Sequence, residues 1–409
     1  MSGPYEGVRI VDLSAMLSGP WATSILGDQG ADVIKVEPPG RGDHTRAYGN
    51  RRGGLSSLFL NINRNKRSIT LDLKTPEGRA LLLRIAATAD VFVQNFRPGV
   101  VERLGVGYDE VAQVNPQIVY LSLSGFGETG PWVHKPVYDP VIQAVSGLTT
   151  IQAGSDGARP RLVRTVLPDK FSAMAASQAI GAALFRRART GAGQHVRLSM
   201  LDAILSFLWA SDFNAQTYPD AEVPDRAAAS FIDLIYRTKD GYMTVAVMSD
   251  GEWRGLCRAL DREEWLEDER FATPAARDAH VDARLDLTQQ VLLERTTDAW
   301  MARLEACGVP CAPALTRDGA IDHPQVVASG ILVETEHPAA GRLRQTRNAA
   351  RFEGSPATGL AGAPRLGEHC SEILAEIGLG EAEIARLHEN GVIGGETDPA
   401  LGAIPEAAE

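Results

Sequence analysis

The chain has 409 residues, of which 44% are hydrophobic, and this length predicts two or three domains with full-sized cores. Its 41 lysine and arginine residues against 52 aspartate and glutamate residues give a net charge of −11, which argues against a general nucleic-acid or anionic-membrane surface. The N-terminal segment has no uninterrupted apolar run, and no other stretch reaches the ~18 apolar residues of a membrane span, so a soluble, cytoplasmic protein is predicted.

The first third of the sequence alternates β-type runs with helical runs, which is the pattern of parallel strands joined by crossover helices. Strands are predicted at residues 8–13, 32–37, 68–73, 91–93 and 118–123. Helices are predicted at residues 19–28 and 75–89, the second with Thr75 as its N-cap and Pro76 at its first position. Polar loops follow the strands that end at residues 93 and 123, and in open α/β sheets such carboxyl-end loops bind ligands.

A basic cluster, NINRNKR at residues 61–67, precedes one of these strands and contains Arg64, Lys66 and Arg67. Arg97 and Arg103 flank the loop and the helix start that follow another strand. Guanidinium and ammonium groups suit phosphate contacts, so these residues are candidates for binding a phosphorylated ligand. The alternative, that each is an ordinary solvated surface charge, stays open from the sequence alone.

Residues 163–185, reading VRTVLPDKFSAMAASQAIGAALF, form the segment with the most distinctive composition. The β-rich run 163–167 predicts a short strand that ends at Pro168, and Asp169 then stands where a helix would begin. The helix that follows is built of small residues, which indicates that backbone or a ligand packs unusually close to it. Asp169 fits two compatible roles, an N-cap or a carboxylate nucleophile kept ionised by the helix dipole.

Beyond this helix the sequence predicts a strand at 196–200, a helix at 202–213 and an aperiodic segment with two prolines at 214–229. Alternating runs joined at Asp240 and Gly241 predict a hairpin, and two helices that follow it complete a small α+β unit. A strand and two helices, at 369–377 and 381–390, complete the pattern. The predicted organisation is a first domain at 1–213, a linker at 214–229, a small domain at 230–320 and a final segment at 321–409.

Four cysteines, Cys257, Cys307, Cys311 and Cys370, are too few and too scattered for a disulfide framework in a chain of this length. No nearby histidine or second cysteine pair completes a zinc set with Cys307 and Cys311. Buried thiols are therefore predicted, and no metal site.

Ten motifs, in order over nearly the whole chain, resemble the class III CoA-transferase family, which contains formyl-CoA transferase, carnitine CoA-transferase and α-methylacyl-CoA racemase. They are GVRIVDLS, GADVIKVEPPGRGD, NRNKRSITLDL, VFVQNFRPG, SLSGFGETGP, YDPVIQAVSG, LPD, RTGAGQHVRLSMLDA, TKDGYMTVAV and APRLGEHC. No single motif is diagnostic, and their joint order carries the resemblance. It implies an α/β fold: a Rossmann-like large domain formed by both chain ends, with residues 321–409 returning to it, a smaller α+β domain, and an interlocked homodimer.

The resemblance also implies the residues of a site. Asp169 matches the catalytic aspartate of the family, and Tyr138 and Asp139 match the aromatic and acidic pair beside it. The residues that match the family's CoA-contacting segments are Lys66, Asn95, Phe96, Arg97 and Arg103. No metal and no permanently bound cofactor is implied, because the coenzyme A thioester is a substrate, together with a free carboxylic acid.

The implied activity is transfer of CoA from an acyl-CoA thioester to a free carboxylic acid, through an aspartyl mixed anhydride and an aspartyl-CoA thioester. An acyl-CoA racemase of the same fold is an alternative, but that branch carries a histidine where this chain has Tyr138, and the nearest histidine is His134. A phenol with a reference pKa of about 10 is a poor base at neutral pH. A non-catalytic acyl-CoA-binding protein is a second alternative.

Two departures from formyl-CoA transferase bear on the substrate. Pro38 stands where that enzyme has an arginine after its second strand, so no arginine contact to the coenzyme is expected there. Near the linker the sequence reads ASFIDLIY, without the run of glycines that covers the active site of that enzyme. Formyl-CoA and oxalate are therefore not expected as the specific pair, and the sequence does not name the acids that exchange CoA.

Overall fold

The structure is a computed structural model and describes residues 2–219, 232–356 and 359–395. Contacts divide the chain into two units, one formed by both chain ends, up to Ala227 and from Ile331 onward, and one spanning Ala228–Gly330. The predicted linker at residues 214–229 lies largely outside the described residues, so its boundaries stay a prediction.

A parallel sheet forms the core of the unit built from the chain ends. The strands up to Ser199 are β1 (Arg9–Asp12), β2 (Asp32–Glu37), β3 (Arg51–Arg52), β4 (Leu55–Ser56), β5 (Lys66–Thr70), β6 (Val91–Gln94), β7 (Val119–Ser124) and β8 (Gln194–Ser199). Six of them form one parallel sheet in the order β5-β2-β1-β6-β7-β8, which confirms the α/β class and the strands predicted in the first third. The strand order reverses between β1 and β6, and ligand crevices open at such points.

Helices connect these strands and cover both faces of the sheet. They are α1 (Ser18–Gly27), α2 (Ser57–Ile62), α3 (Pro76–Ala86), α4 (Val100–Arg103), α5 (Tyr108–Val114), α6 (Asp139–Val145), α7 (Leu148–Ala153), α8 (Leu167–Thr190) and α9 (Met200–Trp209). The start of α3 is as predicted, because the Thr75 side chain accepts from the Gly78 amide and Pro76 is the first helical residue.

The long helix α8 packs along α1 through small side chains. Ala173 and Ala176 on α8 are fully buried and share one hydrophobic cluster with Ala22 of α1. A methyl group added at Gly181 would lie 2.7 Å from the Tyr5 hydroxyl, so a larger residue there would push its neighbour away. The close approach predicted for this helix is therefore made by protein.

Two predictions at the start of α8 are wrong. Residues 163–167 form no strand, because the Val163 amide donates to the Gln143 side chain at 2.9 Å rather than to a neighbouring strand. The helix begins two residues before Asp169, which is therefore its third residue and not its N-cap. Pro168 occupies the second position, where the missing N–H removes no intrahelical hydrogen bond.

The unit Ala228–Gly330 is a small α+β arrangement. Its elements are β9 (Ile235–Arg237), β10 (Tyr242–Val245), α10 (Asp250–Ala259), α11 (Pro274–Ala279), α12 (Val281–Leu292), α13 (Thr297–Ala306), β11 (Cys311–Pro313), α14 (Arg317–Asp322) and α15 (Pro324–Ser329). The predicted hairpin is confirmed, since β9 and β10 pair antiparallel with Tyr242 opposite Arg237. Three large aromatic side chains, Trp253, Phe271 and Trp300, lie in its core.

The C-terminal segment belongs to the first unit. It contains the hairpin strands β12 (Leu332–His337) and β13 (Gly341–Thr346) and the helices α16 (Cys370–Glu376) and α17 (Glu381–Glu389). Ile373 and Leu374 of α16 share one core cluster with Phe92 of the parallel sheet. Across residues 2–219, 232–356 and 359–395, no helix combines the length and the apolar composition that a membrane span requires.

Candidate active site

A cavity of about 530 Å³ opens beyond the carboxyl ends of β1, β6 and β7, where the strand order reverses. Six of the eight residues predicted for the site line it, namely Asn95, Phe96, Arg97, Tyr138, Asp139 and Asp169. Other residues around it are Met16, Leu17, Ser18, Tyr48, Lys135 and Val166. Residues of several motifs that carry the resemblance, among them VFVQNFRPG, YDPVIQAVSG and LPD, therefore meet at one place in the first unit.

Asp169 lies on the first turn of α8 with its carboxylate partly buried. Burial, and then the nearby charge of Asp139, raise the pKa of Asp169 to about 6, while a hydrogen bond with the Ser18 side chain opposes the rise. At neutral pH the carboxylate is still ionised. An ionised carboxylate with a raised pKa is a better nucleophile than an ordinary aspartate.

Asp139, the first residue of α6, accepts hydrogen bonds from a glutamine side chain of its own helix and from the backbone at the start of α8. The Gln143 side chain donates to Asp139 Oδ1 at 2.6 Å and accepts from the Val163 amide at 2.9 Å. The other carboxylate oxygen, Oδ2, accepts from the backbone N–H of Asp169 at 3.2 Å. The capping role that the sequence assigned to Asp169 is therefore filled by Asp139, from a different helix.

The loop 14–18, between β1 and α1, has a fixed shape. The Asn95 side chain accepts from the Ala15 amide at 2.8 Å and donates to the Ala15 carbonyl at 2.7 Å, which ties the loops after β1 and β6 together. Asp43 accepts from the Met16 amide at 3.3 Å. Met16 has a φ of 68°, a left-handed conformation that costs a non-glycine residue about 1–3 kcal/mol and is retained only under such constraint.

The start of α1 lies beside Asp169. A methyl group added at Gly19 would lie 2.4 Å from the Ser14 side chain, so only glycine allows the loop to fold back at this point. No side chain caps α1, whose Ser18 and the preceding Leu17 both border the cavity. The first N–H groups of α1 and the positive end of its dipole are thus available to negative charge in the cavity.

The rim of the cavity is aromatic and cationic, whereas its floor is acidic. Tyr138 is 71% exposed, and Arg97 is also exposed at the rim. The Lys135 ammonium group lies 3.5 Å from the centre of the Trp132 ring, at the edge of the cavity. Such groups suit a phosphorylated ligand that enters with its reactive end toward Asp169.

A smaller cavity of about 230 Å³ adjoins the first, and Phe96 lines both. Its walls are mainly apolar, with Leu13, Ala15, Pro38, Leu71 and Leu73 among the lining residues. Pro38, which stands where formyl-CoA transferase has an arginine, thus contributes apolar surface to this cavity rather than a positive charge.

Lys66 is not at the cavity, and its surroundings contradict the predicted direct contact with CoA. Its ammonium group donates to Asp12 at 2.8 Å, to the Pro20 carbonyl at 2.7 Å and to the Asn63 side chain at 2.9 Å, which uses all three of its N–H donors. Burial alone would raise the pKa of Asp12, but Lys66 and Lys35 hold it at about 2. Lys66 is therefore part of a buried ion pair beneath the loop 14–18.

The other basic candidates divide into two groups. Arg64 and Arg67 are not solvated surface charges, because they pair with Asp28 and Asp32, each at 2.6 Å, and Arg64 is only 6% exposed. Arg103 is exposed at the end of α4 and does not line the cavity. Its contact with CoA stays a prediction.

Ser18, Gln143 and Lys135 border or support the cavity but were not singled out from the sequence. Gln143 follows Asp139 by four residues, and this spacing places two side chains on the same face of a helix. This spacing in the sequence indicates that the side chains of Asp139 and Gln143 can form a hydrogen bond. Ser18 stands at the predicted start of a helix, but no local pattern indicates that it faces a residue about 150 positions later.

The described parts of the chain contain no group of three or more His, Cys, Asp and Glu side chains suited to a metal ion. The four cysteines are free thiols, and Cys257 and Cys370 are buried whereas the other two are partly exposed. The predicted burial is therefore confirmed for two of them.

Comparison with known proteins decides the family. The family model described as "CoA-transferase family III" matches residues 5–370. The chain belongs to CoA-transferase family III. This transferase is 34% identical to the acetyl-CoA:oxalate CoA-transferase of Acetobacter aceti, over 93% of this chain and 97% of that protein. It is also 34% identical to the succinyl-CoA:glutarate CoA-transferase of Homo sapiens, over 91% of this chain and 86% of that protein.

The fold of the transferase has a close match among solved structures. The crystal structure of a CAIB/BAIF family protein from Brucella suis superimposes with a TM-score of 0.80 and 33% identity, covering 92% of this chain and 100% of that one. The predicted recognition, enzyme class and activity are thus confirmed: the transferase moves CoA between an acyl-CoA thioester and a carboxylic acid.

Proposed function

We propose that the transferase works by covalent catalysis, with Asp169 as the nucleophile. The observation that carries the proposal is the position of this carboxylate in the cavity at the reversal of the strand order, where burial and Asp139 raise its pKa to about 6. Asp169 is still ionised at neutral pH, and Ser18 and the start of α1 lie beside it. Within the described residues, no histidine lines this cavity, which disfavours the racemase alternative.

The steps balance without an added proton or redox partner. Asp169 attacks the acyl carbon of the thioester, a C–O bond forms, the C–S bond breaks and CoA thiolate leaves. The thiolate then attacks the Asp169 carboxyl carbon, forming aspartyl-CoA and releasing the donor acid as a carboxylate. An acceptor carboxylate attacks this new thioester, and the returning thiolate takes the acceptor acyl group from the second anhydride, which restores Asp169.

Each attack creates a tetrahedral oxyanion, and half of these oxyanions form on the Asp169 carboxyl carbon itself. The Asp169 oxygen that does not attack the acyl carbon stays on the enzyme throughout and bears that charge. Ser18 and the N–H groups at the start of α1 are the donors that we assign to it, because the loop 14–18 holds them in place before substrate arrives.

Withholding the acceptor acid tests the proposal. After incubation with an acyl-CoA alone, we expect CoA attached to Asp169 as a thioester, located by peptide mass mapping after borohydride reduction or hydroxylamine trapping. The partner substrate is absent, so the second half of the exchange cannot remove the adduct. If the complete assay shows turnover but no carboxylate carries an adduct, the proposal of covalent catalysis is wrong.

The pH dependence of kcat/KM should follow the ionisation of Asp169. Activity is expected to fall as the pH drops through about 6, because the protonated acid is not a nucleophile. Ser18→Ala removes a hydrogen bond that lowers this pKa and should move the acidic limb to higher pH. Asp139→Asn removes a charge that raises it and should move the limb to lower pH.

A matched control for these variants is Ser177→Ala. Its hydroxyl lies on the same helix as Asp169 but donates to the Met174 carbonyl, at 2.8 Å, so the pH profile should stay that of the wild type. If Ser18→Ala and Asp139→Asn shift the limb in the same direction, the assigned electrostatics are wrong.

We propose that Asn95, Phe96 and Arg97 contact CoA, and that Arg103 adds a weaker phosphate contact. Arg97→Met should raise the Kd of free CoA about 10-fold, the loss expected for one charge-assisted hydrogen bond, while Arg103→Met should raise it less. Calorimetry measures both, with the exposed Arg386→Met as the control. Equal Kd values for Arg97→Met and the wild type would return Arg97 to the role of a surface charge.

We also propose that the transferase is a homodimer with interlocked subunits, as the resemblance implies. Apolar side chains stay exposed along α8 and α9, including Met174, Phe185, Phe207 and Trp209, and a second copy would cover them. Interlocked subunits cannot separate without unfolding, so mass photometry at nanomolar concentration should find dimers alone. A monomer peak that grows on dilution would remove the interlocked topology.

A further inference from the structure

A separate cavity, of about 330 Å³, lies entirely within the unit Ala228–Gly330. It is formed between the β9–β10 hairpin and the helices α10, α11 and α12. None of its lining residues belongs to the cavity around Asp169. The mechanism above gives it no role.

Two side chains that line this cavity each carry a buried hydrogen-bond donor without an acceptor among the described residues. The donors are the indole Nε1 of Trp253, a residue that is 2% exposed, and the Nε of Arg284. A buried donor without a partner costs about 1–3 kcal/mol, so two of them at one cavity call for a ligand that supplies acceptor atoms.

Two arginines and one aspartate line the cavity. Arg277 is 6% exposed and donates to the Phe271 carbonyl at 3.0 Å and to Asp250, which balances its charge. Arg284, by contrast, has no carboxylate within salt-bridge distance among the described residues. Asp278, which is exposed, also lines the cavity, and the described residues show no ion pair between it and Arg284.

The rest of the wall is largely apolar. Leu234, Val245, Val247 and Leu256 contribute aliphatic surface, and the rings of Tyr236 and Trp253 complete it. A phosphate would place most of its oxygens against this surface without partners. A carboxylate has two oxygens, which match the two unpartnered donors, and its hydrocarbon chain would cover the aliphatic side chains.

We propose that this cavity is a binding site for a small carboxylate that bears a short apolar chain. One carboxylate oxygen accepts from Trp253 Nε1 and the other from Arg284 Nε, whose guanidinium group supplies the balancing charge. The site lies outside the catalytic cavity and does not depend on the proposed role of Asp169. It gives the transferase a second place for an acid of the class that it exchanges.

Fluorine NMR of the full-length protein labelled with 5-fluorotryptophan tests this site. The resonance of Trp253 is assigned by its loss in Trp253→Phe, and the protein is titrated with hexanoate and, separately, with hexanamide, which has the same chain without charge. We expect a saturable shift of the Trp253 resonance with hexanoate and none with hexanamide. Equal shifts with the two compounds, or no shift with hexanoate, would overturn the proposal.

Variants of Arg284 separate the charge from the geometry. Arg284→Met should weaken hexanoate binding at least about 10-fold, and Arg284→Lys, which keeps the charge but loses Nε, should give an intermediate Kd. Arg258→Met, an exposed position on α10, is the control and should bind as the wild type does. Unchanged resonances of the other tryptophans show that each variant is folded, and wild-type affinity in Arg284→Met would disprove the assignment.

The same variants distinguish this site from the catalytic one. Formation of aspartyl-CoA on Asp169 should be unchanged in Arg284→Met at saturating substrate. Absence of the adduct in the wild type would therefore contradict the covalent mechanism without bearing on the carboxylate site. Absence of the NMR shift would contradict the carboxylate site without bearing on the covalent mechanism.

Discussion

Replacing Asp169 with asparagine is expected to lower kcat at least about 10³-fold, because the amide keeps the shape of the side chain but is not a nucleophile. The measurement is steady-state exchange of CoA between two acids, with the aspartyl-CoA adduct followed in parallel. Affinity for free CoA should stay near that of the wild type, since the proposed coenzyme contacts lie at the rim of the cavity. Residual activity above a few per cent, in a preparation free of wild-type protein, would contradict the assignment.

The same variant should be more stable than the wild type at pH 8. The folded protein raises the pKa of Asp169 from 3.8 to about 6, so above pH 6 the folded state carries a charge that it disfavours, and below 3.8 both states are neutral. The gain in Tm should therefore be present at pH 8 and vanish toward pH 4. Asp156→Asn, in an exposed turn, is the control and should change Tm little at either pH. A lower Tm at pH 8 would mean that the lost activity reflects folding.

Lys66→Met is expected to lower the free energy of unfolding by about 3–5 kcal/mol, because it leaves the carboxylate of Asp12 buried without its partner. The side chains of Asp12 and Lys66 are both fully buried, and Lys66 Nζ lies 2.8 Å from Asp12 Oδ2. Urea unfolding measures the loss, and Lys74→Met, at an exposed lysine nearby in the sequence, should cost little.

A second variant separates this role from a contact with CoA. The pair Asp12→Asn with Lys66→Met removes both charges and should recover part of the lost stability. If Lys66→Met unfolds at the same urea concentration as the wild type while its Kd for CoA rises, then Lys66 binds the coenzyme. The buried ion pair would in that case not contribute to the free energy of unfolding.

Much of the fold could be predicted because its signals are local. Strands buried on both faces are short apolar runs, Thr75 and Pro76 mark a helix start within two residues, and Asp240 with Gly241 marks a hairpin. The strand predicted at residues 163–167 failed because β-propensity expresses packing on a sheet, and this segment meets the Gln143 side chain instead.

In the candidate site, too, features with a local sequence signal could be predicted, and features that depend on distant residues could not. Six of the predicted residues line the cavity, and they stand next to strand ends and helix starts, where sequence motifs are easiest to recognise. The prediction for Lys66 failed because its partners lie up to 54 residues away, and no local pattern distinguishes a buried lysine from an exposed one. The pKa of Asp169 depends on Asp139 and Ser18, which only the folded chain brings together.

The small residues between α8 and α1 set how far Asp169, the proposed nucleophile, lies from the sheet. Ala173 and Ala176 are fully buried there, so a larger side chain at either position would lift the whole helix and Asp169 with it. Tyr138 and Lys135, by contrast, lie on the exposed rim and can be exchanged without moving that helix. Substitutions that change which acids are accepted are therefore expected at the rim. The small buried residues of α8 are expected to tolerate few substitutions, because a larger side chain there would displace Asp169.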